Sequence, residues 1–532
     1  MSILLALPQE IKTKILSNLN AVSLIRTSMT CKSLYETFQE YAIFEYIIQL
    51  HLDGLKESGS NTSTSYPELL QKLVSQRQTW MSVDSIPFFP LATGFSSSRA
   101  FAQGVLASKR PGGIDILWLA TPNTTQRKVW RNLRDVPFGN LAIDPAQDLL
   151  ILAHSEGGNN GLASMSQHYF INIHIHSLSR GGIHPLAHQS PLVARFSGAF
   201  YESIGITAIH SIKIGGNVVA FHFDVSSDHI NEQSRIMIWD WMTSELILNS
   251  DIMFDRTLEP DLFSFGLLDS TSFFVTSTRR SGSIRLYKLV RSNSTKVPAI
   301  HVATLHLPPI IHNAQLRSIT VARVAPIEMN SLSGRPFIIN DEDRIHGFSV
   351  KYMTVVSDYN VNTEAFLFVH QRTFSRYLSQ NVPLKHRPLN VKWPVWGPND
   401  TALVINADFI SLERTNCCMY GQRIVLASPI PDMFPTMSAS FRLLDFSRSA
   451  ILSATSTLRS TKLPSLGTGW TLFSSHEIRV HETSVFQTDV KTSLPFVSCV
   501  RDVRSEGTFE GYILYSDGIV GYHMAPQQSD RD

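Results

Sequence analysis

Helical periodicity in this 532-residue chain is confined to roughly the first eighty residues, and after about residue 84 short strands and turns replace it. A chain that changes period once, early and for good folds as a small helical part joined to a large β part. The β part is built from a loosely recurring unit of strand, turn and apolar strand. Leu141-Ala142-Ile143 leads through Asp144-Pro145-Ala146-Gln147-Asp148 into Leu149–Ala153. Ser211–Ile214 turns at Gly215-Gly216-Asn217 into Val218–Phe221, and Phe263–Leu268 turns at Asp269-Ser270 into Phe273–Val275. Trp396-Gly397-Pro398-Asn399-Asp400 reads as a further turn before Leu403-Val404-Ile405. Near the end, Tyr512–Tyr515 and Ile519-Val520 flank Asp517-Gly518, a strong hairpin signal.

Alternating strands lie between these units. Ile171, Ile173 and Ile175 share one face, as do Ile284 and Leu286. Arg235-Ile236-Met237-Ile238-Trp239-Asp240, with the polar turn Met242–Glu245 after it, resembles the Trp-Asp strand of a WD-repeat blade. The large region therefore resembles a degenerate WD-like β-propeller, a ring of small sheets that leaves only short, protected edges. Spread over seven blades it supplies about 63 residues each against a usual ~40–45, which requires long loops. Seven blades are favoured, with six or eight accommodated. Two stacked β-sandwich domains are the competing architecture.

The helical part begins at Leu7-Pro8-Gln9-Glu10-Ile11 and continues with Ile15-Leu16 and Leu19 on one apolar stripe. Asn20 is placed to cap a second helix carrying Val22, Leu24, Ile25 and Met29. A third helix starts near Cys31-Lys32 and carries Leu34, Tyr35, Phe38 and Tyr41. Three short helices cannot bury that much apolar surface among themselves, so something else must cover the remainder. The spacing of these residues resembles an F-box, over about residues 4–50. The resemblance implies that the helices bind the Skp adaptor of SCF (Skp–cullin–F-box) ubiquitin ligases and, through it, a cullin–RING ligase. It places Leu7, Pro8, Ile11, Ile15, Leu16, Leu19, Leu24 and Ile25 in or beneath the adaptor interface. Without the resemblance, the same helices read as a cap packed on their own chain.

The expected fold class is α+β multidomain, with a three-helix box over residues 1–52 and a mainly-β propeller over 84–525. Residues 53–83 read as a Gly/Ser-rich linker followed by an amphipathic helix that opens at Pro67, and 526–532 as a polar tail. The helix stripe of Leu69, Leu70, Leu73, Val74 and Trp80 could dock on either neighbour. Composition bounds the partners. The 43% hydrophobic and 17% charged content describes a folded chain, and at a net charge of +2 the basic residues read as dispersed. Nucleic acid is not an expected partner. Four cysteines without a CxxC pair suit a reducing compartment, and no apolar run approaches a membrane span, so a cytoplasmic or nuclear location is expected.

Signals for chemistry are weak. No phosphate-binding loop, dinucleotide fingerprint, zinc helix or nucleophile elbow is present. His174 and His176 fall on one face of a strand but alternate with isoleucines, as any half-buried strand does. Cys417-Cys418 reads as two buried thiols, Trp393 and Trp396 as packing anchors, and Asp341-Glu342-Asp343 as a solvated loop. No catalytic, cofactor or metal residue is assigned. The sequence reads as a non-catalytic, substrate-recruiting subunit of a ubiquitin ligase that holds its target protein on the propeller. A propeller hydrolase with a metal in its channel and an adaptor-bound scaffold without ligase function are the alternatives. Two polar stretches, His154–Gln167 and Asn330–Ile345, are the candidate target-recognition loops.

Overall fold

The computed structural model describes residues 2–59, 64–93, 98–119, 125–157, 168–197, 204–227, 231–250, 262–290, 299–322, 336–356, 359–380, 387–405, 418–429, 438–455, 469–479 and 485–524. The N-terminal part holds five helices: α1 (Ser2–Ala6), α2 (Gln9–Leu16), α3 (Ala21–Ser28), α4 (Lys32–Glu40) and α5 (Ala42–Leu52). Pro8 stands just before α2, and its carbonyl accepts the N–H groups of Ile11 and Lys12. Asn20 caps α3 by accepting the Ser23 N–H at 2.8 Å. The third helix expected from sequence ends earlier than its apolar run, because Tyr41 is extended (φ −110°, ψ 117°) and starts α5. Leu16, Leu24, Leu34 and Phe44, one from each of α2 to α5, form the common core.

Among the described residues, seven sheets of three to five strands follow one another along the chain. The first covers 99–132, the second 140–197, the third 204–249, the fourth 262–306 with Leu389–Val391 added in parallel at its edge, the fifth 314–405 apart from that strand, and the sixth 419–502. The seventh joins Gly511–Tyr515 and Gly518–Met524 to Phe88–Thr93. First strands of neighbouring sheets lie side by side: Arg99–Ala102 against Asn140–Asp144, then Ile204–Gly215, Leu262–Leu267 and Ala314–Val321. Each sheet buries both faces against different neighbours. Ile114 and Ile116 meet Leu150 and Leu152, and Ile173 and Ile175 meet Phe221 and Phe223. Ile236 and Ile238 meet Phe273 and Val275, and Phe274 and Leu286 meet Phe348 and Val350. Phe366 and Phe368 share a core with Leu426 and Leu444, and Phe441 shares it with Tyr512. Phe101 and Leu106 meet Tyr515 and Tyr522, which joins the seventh sheet to the first. Stacked sandwiches would pair sheets two by two. This succession instead closes on itself, as a propeller does.

The strand–turn–strand units fall where the sequence places them, with one exception. Asp144 accepts the Ala146 N–H across the first turn, and the Asp517-Gly518 hairpin pairs Tyr515 with Gly518. Trp239-Asp240 ends the third strand of its sheet, and the Asp240 carboxylate accepts the N–H groups of Met242 and Thr243 at 3.0 and 3.1 Å. The exception is Trp396–Asp400, which is not a turn. It belongs to a helix, Trp393–Asp400, opened by Pro394 in its first turn.

Closure depends on one parallel pairing. Phe88–Thr93, which leaves the helical region, runs beside Gly518–Met524 in the register Phe88↔Ile519 to Thr93↔Met524. The first and last strands of the β region thus share a sheet. Deleting residues 511–524 should leave Phe88–Thr93 unpaired and expose Phe101, Leu106 and Phe441, giving insoluble chain on expression. A soluble, cooperatively melting product would show that the remaining sheets fold without closure.

Candidate functional site

The helical box presents an apolar stripe to solvent. Ile11 is 45% exposed, Ile15 43%, Ile25 40% and Met29 79%, and Val22 and Tyr35 lie open as well. Pro8 is exposed, and Leu7 and Leu19 are half-buried. Leu16 and Leu24 lie instead in the core beneath, at 3% and 1% exposure. The eight residues singled out from sequence therefore divide in three. Pro8, Ile11, Ile15 and Ile25 form the surface, Leu16 and Leu24 support it, and Leu7 and Leu19 lie at its margin. Val22, Met29 and Tyr35 complete the stripe. Large aliphatic side chains left this open on adjacent helices mark a surface made for a partner.

The box is seated on the β region rather than tethered to it. The linker prediction gives way here. Leu55–Glu57 forms a strand antiparallel to Phe337–Ile339, in the register Leu55↔Ile339. That strand lies in the connection between the first two strands of the fifth sheet, so residues 336–345 of the second candidate loop form part of the seat. Residues 330–335, and 158–167 of the first candidate loop, lie outside the described residues. Lys56 Nζ donates to Asp341 Oδ2 at 2.7 Å. Asp343 is buried and accepts from Asn340 Nδ2 at 2.7 Å, so the acid run is not a freely solvated loop. Gly54 has φ +64°, and a Cβ there would fall 1.6 Å from Gln422 Nε2, so only glycine passes this point without displacing that side chain.

A sixth helix, α6 (Tyr66–Met81), locks the seat. Pro67 lies in its first turn, and the Ser65 N–H donates to Glu68 Oε2 at 3.2 Å. Leu69 and Leu73 pack on Tyr46 and Leu50 of α5, while Trp80 enters the core between the sixth and seventh sheets. The stripe thus docks on both neighbours. Arg77 ties α6 to the end of α5. Its Nε and Nη2 donate to the Asp53 carboxylate at 2.9 and 2.8 Å, and its Nη1 donates to Gln49 Oε1 at 2.6 Å. Both side chains of the ion pair are almost fully buried, at 2% and 5% exposure. Gln76 Nε2 and Trp80 Nε1 donate to the Ser516 carbonyl, at the first turn of the seventh sheet. Arg448 donates to His51 Nε2. A guanidinium has no acceptor, so that ring nitrogen is the unprotonated one. Burial and then the Arg448 charge hold the His51 pKa below its ordinary value.

The His174 and His176 rings are 6.1 Å apart, and burial followed by the His174 charge lowers the His176 pKa. Among the described residues, no three His, Cys, Asp or Glu side chains are grouped to hold a metal. Cys418 is buried, and Cys417 lies outside the described residues. Trp393 and Trp396 pack edge to face in the core, where Trp396 Nε1 donates to the His306 carbonyl at 2.9 Å. No helix among the described residues is long and apolar enough to cross a membrane.

Residues 4–44 match the family model of the F-box domain. The chain therefore carries an F-box domain, followed by a propeller-like β region. No curated protein matches it in sequence. Two of the solved structures that resemble it are propeller-related or bacterial surface proteins. The WD40 β-propeller domain of Doa1 aligns at 9% identity and a TM-score of 0.19, covering 53% of this chain and 92% of that one. PorZ, a surface component of the type-IX secretion system of Porphyromonas gingivalis, aligns at 10% identity and a TM-score of 0.22, covering 66% of this chain and 44% of that one. At those scores neither likeness bears on the architecture, which rests on the strand pairing itself.

Two outcomes follow from the seat. Arg77→Met leaves the Asp53 carboxylate buried without its cation, which should cost about 3–5 kcal/mol locally. Hydrogen exchange across α5 and α6 should accelerate accordingly, and unchanged protection would show that the pair does not hold the seat. The second concerns buried histidines. Burial brings His346 down to about 4 and His370 to about 3. The unfolded chain takes up these protons first, so the stability they contribute is present above pH 6.5 and falls as pH drops from there toward 4 and 3. The expected slope in that window is about 1.4 kcal/mol per pH unit for each histidine. Denaturant midpoints taken between pH 7.5 and 5 should show the decline, and His346→Gln should make it shallower.

Proposed function

We propose that this chain is a substrate-recruiting subunit of an SCF-type ubiquitin ligase, non-catalytic itself. The box binds the Skp adaptor, and through it a cullin–RING ligase, while the propeller holds a target protein. The observation that carries the reading is the open stripe of Pro8, Ile11, Ile15, Val22, Ile25 and Met29 on an F-box. In this reading Leu7 and Leu19 flank the contact, and Leu16 and Leu24 fix the helices from below. The protein acts in the cytoplasm or nucleus. Its mechanism is proximity: a target held near a charged ubiquitin-conjugating enzyme reacts at a raised effective concentration.

The seat gives the propeller a direction. The segment after the box contacts the first turns of the sixth and seventh sheets, Gly54 at Gln422 and Gln76 at Ser516, and the corresponding connection of the fifth through Leu55–Glu57. Connections between second and third strands leave from the other end. His154–Gln167 falls in one of these connections, so it remains a target-recognition candidate, whereas residues 336–345 of the second stretch lie at the box end.

Buried apolar anchors dominate such interfaces at about 2 kcal/mol or more each. Ile11→Ala with Ile15→Ala should therefore lower adaptor co-purification by at least an order of magnitude, and Leu7→Ala with Pro8→Ala should weaken it as well. Both pairs leave the Leu16–Leu24–Leu34–Phe44 core intact. Undiminished adaptor recovery with both double variants would overturn the assignment. Comparing the proteins that co-purify with the full chain and with a chain lacking residues 1–52 would separate adaptor partners from targets.

A further inference from the structure

The basic residues are not dispersed. Arg127-Lys128-Val129-Trp130-Arg131-Asn132-Leu133-Arg134 holds four cations in eight residues, in a chain whose net charge is only +2. Arg127–Asn132 is the outermost strand of the first sheet, and among the described residues no strand lies beyond it. We propose that this open edge binds an extended acidic peptide segment of another protein by strand addition, with Trp130 packing on an apolar side chain of that segment.

The backbone is arranged for it. The strand pairs antiparallel with Gly113–Trp118, and the Leu133 N–H donates to the Gly112 carbonyl at 3.0 Å. Hydrogen-bonded and non-hydrogen-bonded pairs alternate along an antiparallel ladder. Arg131, Val129 and Arg127 therefore direct their N–H and C=O groups inward, and Asn132, Trp130 and Lys128 direct theirs to the open edge.

The two faces of the strand differ in chemistry. On the side toward the second sheet lie Arg127, whose guanidinium sits 5.2 Å from the Trp118 ring centre, and Arg131, which donates to the Ser179 carbonyl. Arg180 adds an exposed cation beside Ser179. Among the described residues, Arg127, Arg131, Arg134 and Arg180 have no carboxylate partner. On the opposite side Lys128 is already paired to Asp115 at 3.2 Å, which leaves Trp130, 48% exposed, as the main feature. Gly113 makes room for that indole, since a Cβ there would lie 2.8 Å from the ring. A complementary strand would thus carry acids at alternate positions and apolar residues between them.

Charged edges also serve to block unwanted strand pairing. That role accounts for the cations but not for a large aromatic displayed among them, which invites the pairing that charges discourage. Strand addition is a recurring mode of peptide recognition in which main-chain bonds give affinity and alternate side chains give specificity.

The test uses the full-length protein at 0.15 M salt and a fluorescein-labelled eight-residue peptide of alternating Glu and Val, read by anisotropy. Saturable binding is expected. Arg127→Ala with Arg180→Ala should weaken it about tenfold, and Trp130→Ala should weaken it as well. The same peptide N-methylated at alternate backbone nitrogens, which leaves the protein untouched, should lose binding. Absence of saturable binding overturns the proposal, as does equal affinity for the N-methylated peptide, which would indicate charge attraction alone. Preferential binding of a single-stranded oligonucleotide over the peptide would likewise overturn it, in favour of a nucleic-acid surface.

Discussion

The pairing of Phe88–Thr93 with Gly518–Met524 governs most of what this molecule can do. Ring architectures have no natural end, and one is created only when a distant part of the chain completes the last sheet. Here the completing strand lies directly after α6. Closure therefore forces the helix before it onto the rim between the sixth and seventh sheets, where Trp80 enters the core and Ser516 accepts its indole N–H. The box follows α6 through Arg77 and Asp53. The interaction that closes the ring also positions the F-box, so the two modules are joined by folding rather than by a leash.

That coupling matters for a mechanism based on proximity. A flexible linker sets an effective concentration by averaging over many positions, whereas in the proposed role a seated box would fix one distance between the adaptor and the target face. The chemistry of the seat favours fixity. Arg77 with Asp53 and Gln49, Lys56 with Asp341, and Arg448 with His51 are directional contacts, and directional contacts specify one geometry where an apolar face alone would permit sliding. Burial makes the Arg77–Asp53 pair costly to separate, because each partner left alone is an uncompensated charge.

How much was legible follows from how local each signal is. The strand–turn–strand units, the Asn20 cap and the box stripe could be read because each depends on neighbours within a few residues. The helix at Trp393–Asp400 was misread as a turn because Gly397, Pro398 and Asn399 are turn residues by composition, while Pro394 in the first turn gave the opposite signal. The strand Leu55–Glu57 was hidden in a Gly/Ser-rich stretch, since it exists only against Phe337–Ile339, far along the chain. Asp341–Asp343 looked solvated because the cations that meet it, Lys56 and Arg372, come from remote segments. The cationic edge at 127–134 disappeared into a net charge near neutrality. Averages over 532 residues conceal a local excess, and only its placement on an unpaired strand gives it meaning.

The box stripe and the edge of the first sheet are open for opposite physical reasons. Ile11, Ile15, Ile25 and Met29 expose apolar area that water disfavours, at about 25 cal/mol for each square ångström, so the free chain gains by covering them with any shape that fits. Such a surface suits a constant partner. Arg127 and Arg180 are exposed and well solvated when free, and a ligand must replace that water with carboxylates in the right places before it gains anything. Such a surface suits a selected and reversible partner, with long-range attraction raising its arrival rate. A constant partner at one site and a selected one at another is the division of labour that the proposed recruiting role requires, and an apolar stripe and a cationic strand are surfaces suited to each.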